Sequence, residues 1–185
     1  MDNNSKINFS LKGFTSILIG GYFFIAGYLI ETILKGFLID DHALAMFSAE
    51  IIEYVVLGIA FLVFQFSSLA IYFSGKRNAT KLEITLWNAP TKNAVKKYFL
   101  GVLVIFSSLI ILMNLGFIDY ITPTFLILYG FLLFVFKNEA RKNLLVLSGL
   151  SLLLALMCFL IPTYWASSLS ILGIAHITYG FVVKE

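Results

Sequence analysis

Cysteine and charge are both scarce in this chain. The single cysteine, Cys158, excludes an internal disulfide. Only 12% of the residues are charged, whereas 60% are hydrophobic, and the mean hydropathy is +0.95. This composition leaves no room for a water-soluble domain. The sequence also lacks a phosphate-binding glycine loop, a His-Glu-x-x-His zinc motif and a Gly-x-Ser-x-Gly nucleophile motif. These absences disfavour an enzyme without deciding the question, and they indicate no cofactor and no metal centre.

Six long apolar runs dominate what is present. They cover residues 14–34, 51–74, 98–117, 120–136, 143–161 and 164–183. A hydrocarbon core of about 30 Å requires roughly 20 helical residues, so each run is long enough to span a bilayer. The last four runs contain no charged residue, and none alternates as a barrel strand would. The sequence therefore predicts an all-α polytopic membrane protein, with one transmembrane domain over residues 1–185.

Lysine and arginine are distributed unevenly between the connections. Every basic residue except Lys35 falls on the side that carries both termini and the connections 75–97 and 137–142, whereas most acids fall on the other side. Basic connections stay in the cytoplasm. We therefore expect three outward hairpins with both termini cytoplasmic, in a bacterial inner membrane. The partner of the basic face is the lipid bilayer, and nucleic acid is not expected because the basic surface is small and lacks a binding motif.

A glycine and proline pattern marks the second half of the chain. An apolar run ends near Pro162, a short turn follows, and Gly173 and the pair Tyr179-Gly180 precede a basic end. Over residues 98–184 this pattern resembles the hairpin unit of HdeD-like bacterial membrane proteins. The resemblance implies six helices and a link to acid stress, and it supplies no catalytic residue. The first hairpin departs from the family pattern through its long acidic outer loop.

His176 is the main candidate for handling a ligand or a proton inside the membrane. It shares a helix face with Tyr179 and with neighbouring glycines, so this face should point into the bundle. Gln65 lies at a comparable depth in the second run, and we expect it to form a hydrogen bond with His176. A functional role for His176, Gln65 and Tyr179 is the alternative to a structural one. Haem is not expected, since the other histidine, His42, lies in a connection.

Acidic residues and a histidine collect on the predicted outer side. The set consists of Glu31, Asp40, Asp41, His42, Glu50 and Glu53. Carboxylates with an imidazole could bind a divalent cation or accept protons there. The alternative is structural, because acids at the start of a helix favour its dipole and Glu31 can pair with Lys35 one turn later.

Small residues recur every seven positions in the first and last runs. They are Gly13, Gly20 and Gly27, and then Ala166, Gly173 and Gly180. Such stripes allow helices to pack closely. We expect the two terminal helices to pack on each other through these faces, and a homo-oligomer is the rival explanation.

The sequence favours a non-enzymatic function. We expect a multi-pass protein that binds or supports other membrane components, with a connection to stress. A membrane-protein partner or a second copy of the chain would then be bound. The alternative is a small transporter or proton-coupled carrier that uses His176 and the outer acidic residues.

Overall fold

The computed structural model describes residues 9, 11–38, 47–81, 83–136 and 143–183. Within these ranges the chain is all-α and contains no strand. Its helices are α1 (Phe14–Leu38), α2 (Ala49–Lys81), α3 (Ala89–Asn114), α4 (Ile121–Val135), α5 (Leu144–Leu160) and α6 (Trp165–Val182). Short 3₁₀ turns over Ile118–Tyr120 and Pro162–Tyr164 precede α4 and α6. Five helical segments are long and apolar enough to cross a membrane, and α5 is a shorter apolar helix. The predicted all-α fold with several apolar helices is confirmed.

The inside and the outside of the bundle suit a lipid environment. Hydroxyl side chains such as those of Ser16 and Ser151 are fully buried between helices. Large apolar side chains face outward instead, and those of Val146 and Phe181 are 70% and 63% exposed. Lipid tails are as apolar as leucine, so helices in a membrane associate through close packing and polar contacts rather than through burial of apolar surface.

Helices α1 and α6 form an extensive antiparallel contact. The amide of Gly13 donates a 3.0 Å hydrogen bond to the carbonyl of Val183, and Gly20 faces Gly173 further along the pair. A Cβ atom on Gly173 would lie only 2.8 Å from the carbonyl oxygen of Gly20. At Gly27 it would lie 3.3 Å from the Leu169 side chain. The small faces of the two helices thus contact each other within one chain.

Two buried serines of α5 fix its position on α4. Ser148 donates a 2.8 Å hydrogen bond to the carbonyl of Gly130, and Ser151 donates one of 2.7 Å to the carbonyl of Leu126. The order of these contacts makes α4 and α5 antiparallel. Interhelical hydrogen bonds in membranes contribute about 0.6 kcal/mol each on average, so their main effect here is to set the register between the two helices.

The connection between α2 and α3 is much shorter than the apolar runs predicted. The predicted boundaries were 74 and 98, but α2 continues to Lys81 and α3 begins at Ala89. Asn88 caps α3, because its side-chain oxygen accepts a 2.9 Å hydrogen bond from the amide of Thr91. Apolar runs mark only the part of a helix that lies in lipid. Both helices continue beyond it through turns that contain lysine, arginine and alanine, which are good helix formers.

The two ends of the bundle differ in charge over the described ranges. The end at which α2 finishes and α3 begins is called the basic end, and it carries Lys12, Lys76, Arg77, Lys81, Lys92, Lys96 and Lys97 with a single acid, Glu83. The opposite end is called the acidic end. It carries Glu50, Glu53, Asp119 and an ion pair in which Lys35 lies 2.6 Å from Glu31.

Candidate functional site

His176 lies inside the bundle, and its side chain is fully buried. Its Nε2 atom is 2.9 Å from the Tyr129 hydroxyl of α4, and its Nδ1 atom is 3.3 Å from Ser16 Oγ of α1. Ser16 also donates a 2.8 Å hydrogen bond to the backbone carbonyl of His176. Side chains from three helices therefore meet in one hydrogen-bonded group, which we call the His176 cluster: Ser16, Tyr129 and His176.

The hydrogen bonds assign a proton to each donor of the His176 cluster. Ser16 has one hydroxyl proton, and the carbonyl of His176 accepts it, so Ser16 Oγ can only accept a hydrogen bond from Nδ1–H. In a neutral imidazole Nε2 then carries no proton, and it accepts the hydrogen bond from the Tyr129 hydroxyl. A neutral imidazole thus has a protein partner at both nitrogens. Neither nitrogen is left over for a ligand, which favours a structural role for His176.

Gln65 is not a partner of His176. Its side chain is exposed on α2, whereas Ser16 and Tyr129 occupy both ring nitrogens of His176. The expected bond between Gln65 and His176 is therefore wrong. Equal depth in the membrane does not decide which face of a helix turns inward, and α2 turns Val63, Phe64 and Ser67 inward instead.

The remaining intramembrane candidate, Tyr179, lies on α6 one turn after His176. It is buried in the bundle, on the same side of α6 as Gly180. Tyr179 therefore belongs to the interior face that its spacing from His176 predicted, and its role in handling a ligand or a proton stays a prediction.

A layer of phenylalanine rings separates the His176 cluster from the acidic end. The Phe23 ring stacks on His176 with a centroid distance of 5.9 Å, and it lies 6.0 Å from the Phe125 ring. The Phe64 ring lies 6.1 Å from Phe125. We call Phe23, Phe64 and Phe125 the phenylalanine layer. One cavity lies on each side of it.

The small cavity lies on the side of the basic end. Its volume is about 30 Å³, and its lining includes Ser67, Tyr98 and Tyr129 together with apolar side chains. The buried hydroxyl of Ser67 has no hydrogen-bond partner among the described residues. A space of this size is too small for an organic ligand.

The large cavity extends from the phenylalanine layer to the acidic end. Its volume is about 220 Å³. Its walls are almost entirely apolar and come from five helices, through Ala26, Gly27, Ile30, Leu34, Val56, Leu57, Ala60, Val63, Leu109, Ile121 and Leu169. Asp119, Thr122 and Trp165 add polar groups where the cavity reaches the acidic end. An apolar chamber with a few polar groups at one end is the usual form of a small-molecule site.

The predicted outer cation site is only partly within the described ranges. Glu50 is exposed, Glu53 is half-buried, and Glu31 is paired with Lys35. The other members, Asp40, Asp41 and His42, lie outside the described residues. Within the described part of the chain, no three His, Cys, Asp or Glu side chains come close enough to hold a metal ion. The cation site stays a prediction.

Sequence reasoning missed the residues that define the two cavities and the partners of His176. Ser16 carried a usable signal, because it lies between Gly13 and Gly20 on the close-packing face of α1. The sequence around Asp119 and Trp165 carried no such signal, since a cavity is the volume that neighbouring helices leave unfilled.

Comparison of the chain with models of known families, with curated proteins and with solved structures gave no match.

Proposed function

We propose that the protein is a non-enzymatic membrane protein whose large cavity binds an apolar, lipid-like component of the membrane. The single observation that carries this proposal is the 220 Å³ chamber, which is lined by apolar side chains and closed at its inner end by the phenylalanine layer. His176 stacks on the Phe23 ring, on the side of the phenylalanine layer that faces the basic end. Its hydrogen bonds to Ser16 and Tyr129 hold it in place.

The size of the large cavity supports an occupant. Side chains that line an unfilled space lose the free energy of dispersion contacts on that side, and this applies to the walls of the large cavity, with its volume of about 220 Å³. An engineered apolar cavity of about 150 Å³ already takes up benzene. A molecule that fills the larger chamber would recover much of this free energy through dispersion contacts.

We also propose that the six helices span a bacterial inner membrane as three outward hairpins with both termini in the cytoplasm. The charge difference between the two ends of the bundle supports this orientation, since basic residues collect on the cytoplasmic side. The acidic end and the large cavity would then face outward. The stress connection that the HdeD-like resemblance implies stays a prediction.

Trp165 allows the proposal to be tested by fluorescence. It lines the large cavity, and the only other tryptophan, Trp87, is exposed at the basic end. In a Trp87→Phe protein in nanodiscs, a brominated long-chain alcohol should quench Trp165 saturably at a low mole fraction. Ala60→Phe fills the cavity and should remove the saturable part, whereas the matched variant Leu62→Phe, on the exposed face of α2, should not. Quenching that never saturates in the parent protein would refute the proposal.

Transport is a second candidate function, and the presence of a cavity on each side of the phenylalanine layer favours it. Movement of the Phe64 ring, which lines both cavities, would connect them. His176 and the outer acids would then handle protons in a coupled carrier. In reconstituted vesicles, His176→Leu should abolish proton-coupled uptake while the protein remains inserted and folded. A variant that fails to accumulate, or that transports normally, speaks against this function.

A further inference from the structure

We propose that the occupant of the large cavity is a single-chain amphiphile with a cationic headgroup, an inference that rests on the proposed function. The cavity has two chemically distinct parts. Its interior is apolar down to Phe23, Phe64 and Phe125, and its other end is lined by Asp119, Thr122 and Trp165. The ligand must therefore have an apolar tail and a head that a carboxylate attracts.

The interior sets the length of the tail. A cavity of about 150 Å³ accepts the six carbons of benzene, so about 220 Å³ accommodates roughly nine carbons by the same ratio. This is one alkyl chain of moderate length rather than the two chains of a phospholipid. The phenylalanine layer lies at the inner end of the cavity, so a longer chain would extend out of the cavity.

The charges around the polar end set the sign of the headgroup. Over the described ranges, Lys35 is the only basic residue at the acidic end, and it is paired with Glu31 at 2.6 Å. Glu50 and Glu53 add further negative charge at this end. An anionic head would meet repulsion there. A cationic head gains attraction to Asp119 and a cation–π contact with the Trp165 ring.

The test compares three competitors that share a ten-carbon tail: decyltrimethylammonium, decanol and decanoate. Each competitor is titrated against the brominated alcohol in Trp87→Phe protein held in zwitterionic nanodiscs. Partitioning of each competitor into empty nanodiscs is measured separately and gives its concentration in the bilayer. We expect the cation to restore Trp165 fluorescence at an about tenfold lower bilayer concentration than decanol, with decanoate weakest. Asp119→Asn should remove the preference for the cation, so that decyltrimethylammonium and decanol displace the brominated alcohol at equal bilayer concentrations. Glu83→Gln, which alters an exposed acid at the basic end, should keep that preference.

Equal displacement by the cation and decanol overturns the headgroup inference, as does a cation preference that survives in Asp119→Asn. In both cases the brominated alcohol still binds saturably, so the proposed function stands. If the brominated alcohol shows no saturable quenching in the parent protein, the cavity proposal itself fails and the headgroup inference fails with it.

Discussion

Gly20 and Gly21 are neighbours in α1, yet one added methyl group should change stability in opposite directions at the two positions. At Gly20 a Cβ atom would collide with the carbonyl oxygen of Gly173 and lie 2.8 Å from the amide nitrogen of Ile177. Both atoms belong to the backbone of α6, so the helices must move apart. At Gly21 a Cβ atom would meet nothing within 4 Å.

The expected magnitudes follow from two opposing terms. Alanine stabilises a helix interior by about 0.5–1 kcal/mol over glycine, and Gly21→Ala should gain this amount. Gly20→Ala gains the same helix stabilisation, but the contact with α6 also destabilises the fold by about 1–3 kcal/mol. The two variants should therefore differ by about 1–3 kcal/mol, which corresponds to roughly 2–12 °C in Tm for a chain of this size.

Thermal unfolding of the detergent-solubilised protein, followed by circular dichroism, measures this difference, and light scattering reports the oligomeric state. Gly20→Ala should have the lower Tm and stay monomeric if the parent protein is monomeric. Equal Tm values for the two variants would refute the close contact between α1 and α6. A Gly20→Ala protein that keeps its Tm but splits a dimer would show that the glycine stripe serves association between copies.

Three further predictions concern the His176 cluster, the connection before α3 and the orientation in the membrane. Tyr129→Phe leaves Nε2 of His176 without a donor and should cost about 0.6–1.7 kcal/mol, the range for interhelical hydrogen bonds in membranes; an unchanged free energy of unfolding would contradict the hydrogen bond. Glu83 has a φ of 52°, a conformation that favours glycine, so Glu83→Gly should stabilise by about 1 kcal/mol, and a lower Tm would count against this geometry. In intact cells, a membrane-impermeant thiol reagent should label Thr163→Cys but not Thr80→Cys, both exposed positions, and the reverse pattern would overturn the proposed orientation.

The number and place of the helices could be predicted because an apolar run of about 20 residues has few alternatives to a membrane helix. Their ends could not. The charged residues from Lys76 to Lys81 and from Lys92 to Lys97 continue the helices beyond the apolar runs, and hydropathy takes no account of this. The start of α3 has a local marker that the apolar run does not include, because Asn88 followed by Pro90 is a helix-start signal in its own right.

The surroundings of His176 show a different limit. Its glycine neighbours indicated correctly that this face of α6 points into the bundle, where His176 is fully buried. Its partners depend on how α1 and α4 are rotated about their own axes. Depth alone pointed to Gln65, which is exposed, whereas Ser16 and Tyr129 are the side chains that reach the ring. Rotation of this kind comes from the packing of all helices together, and so does the volume of the large cavity.

The antiparallel seam between α1 and α6 has a consequence for the order of assembly. Ser16 and His176 are 160 residues apart in the sequence, and synthesis proceeds at about 5–20 residues per second, so α1 precedes its partner by about 8–32 s. During that interval its glycine face meets lipid or an insertion factor instead of α6. A long-range contact that forms late makes assembly slow. Chains halted before α6 would keep this glycine face unpaired, because the backbone atoms that it contacts belong to α6.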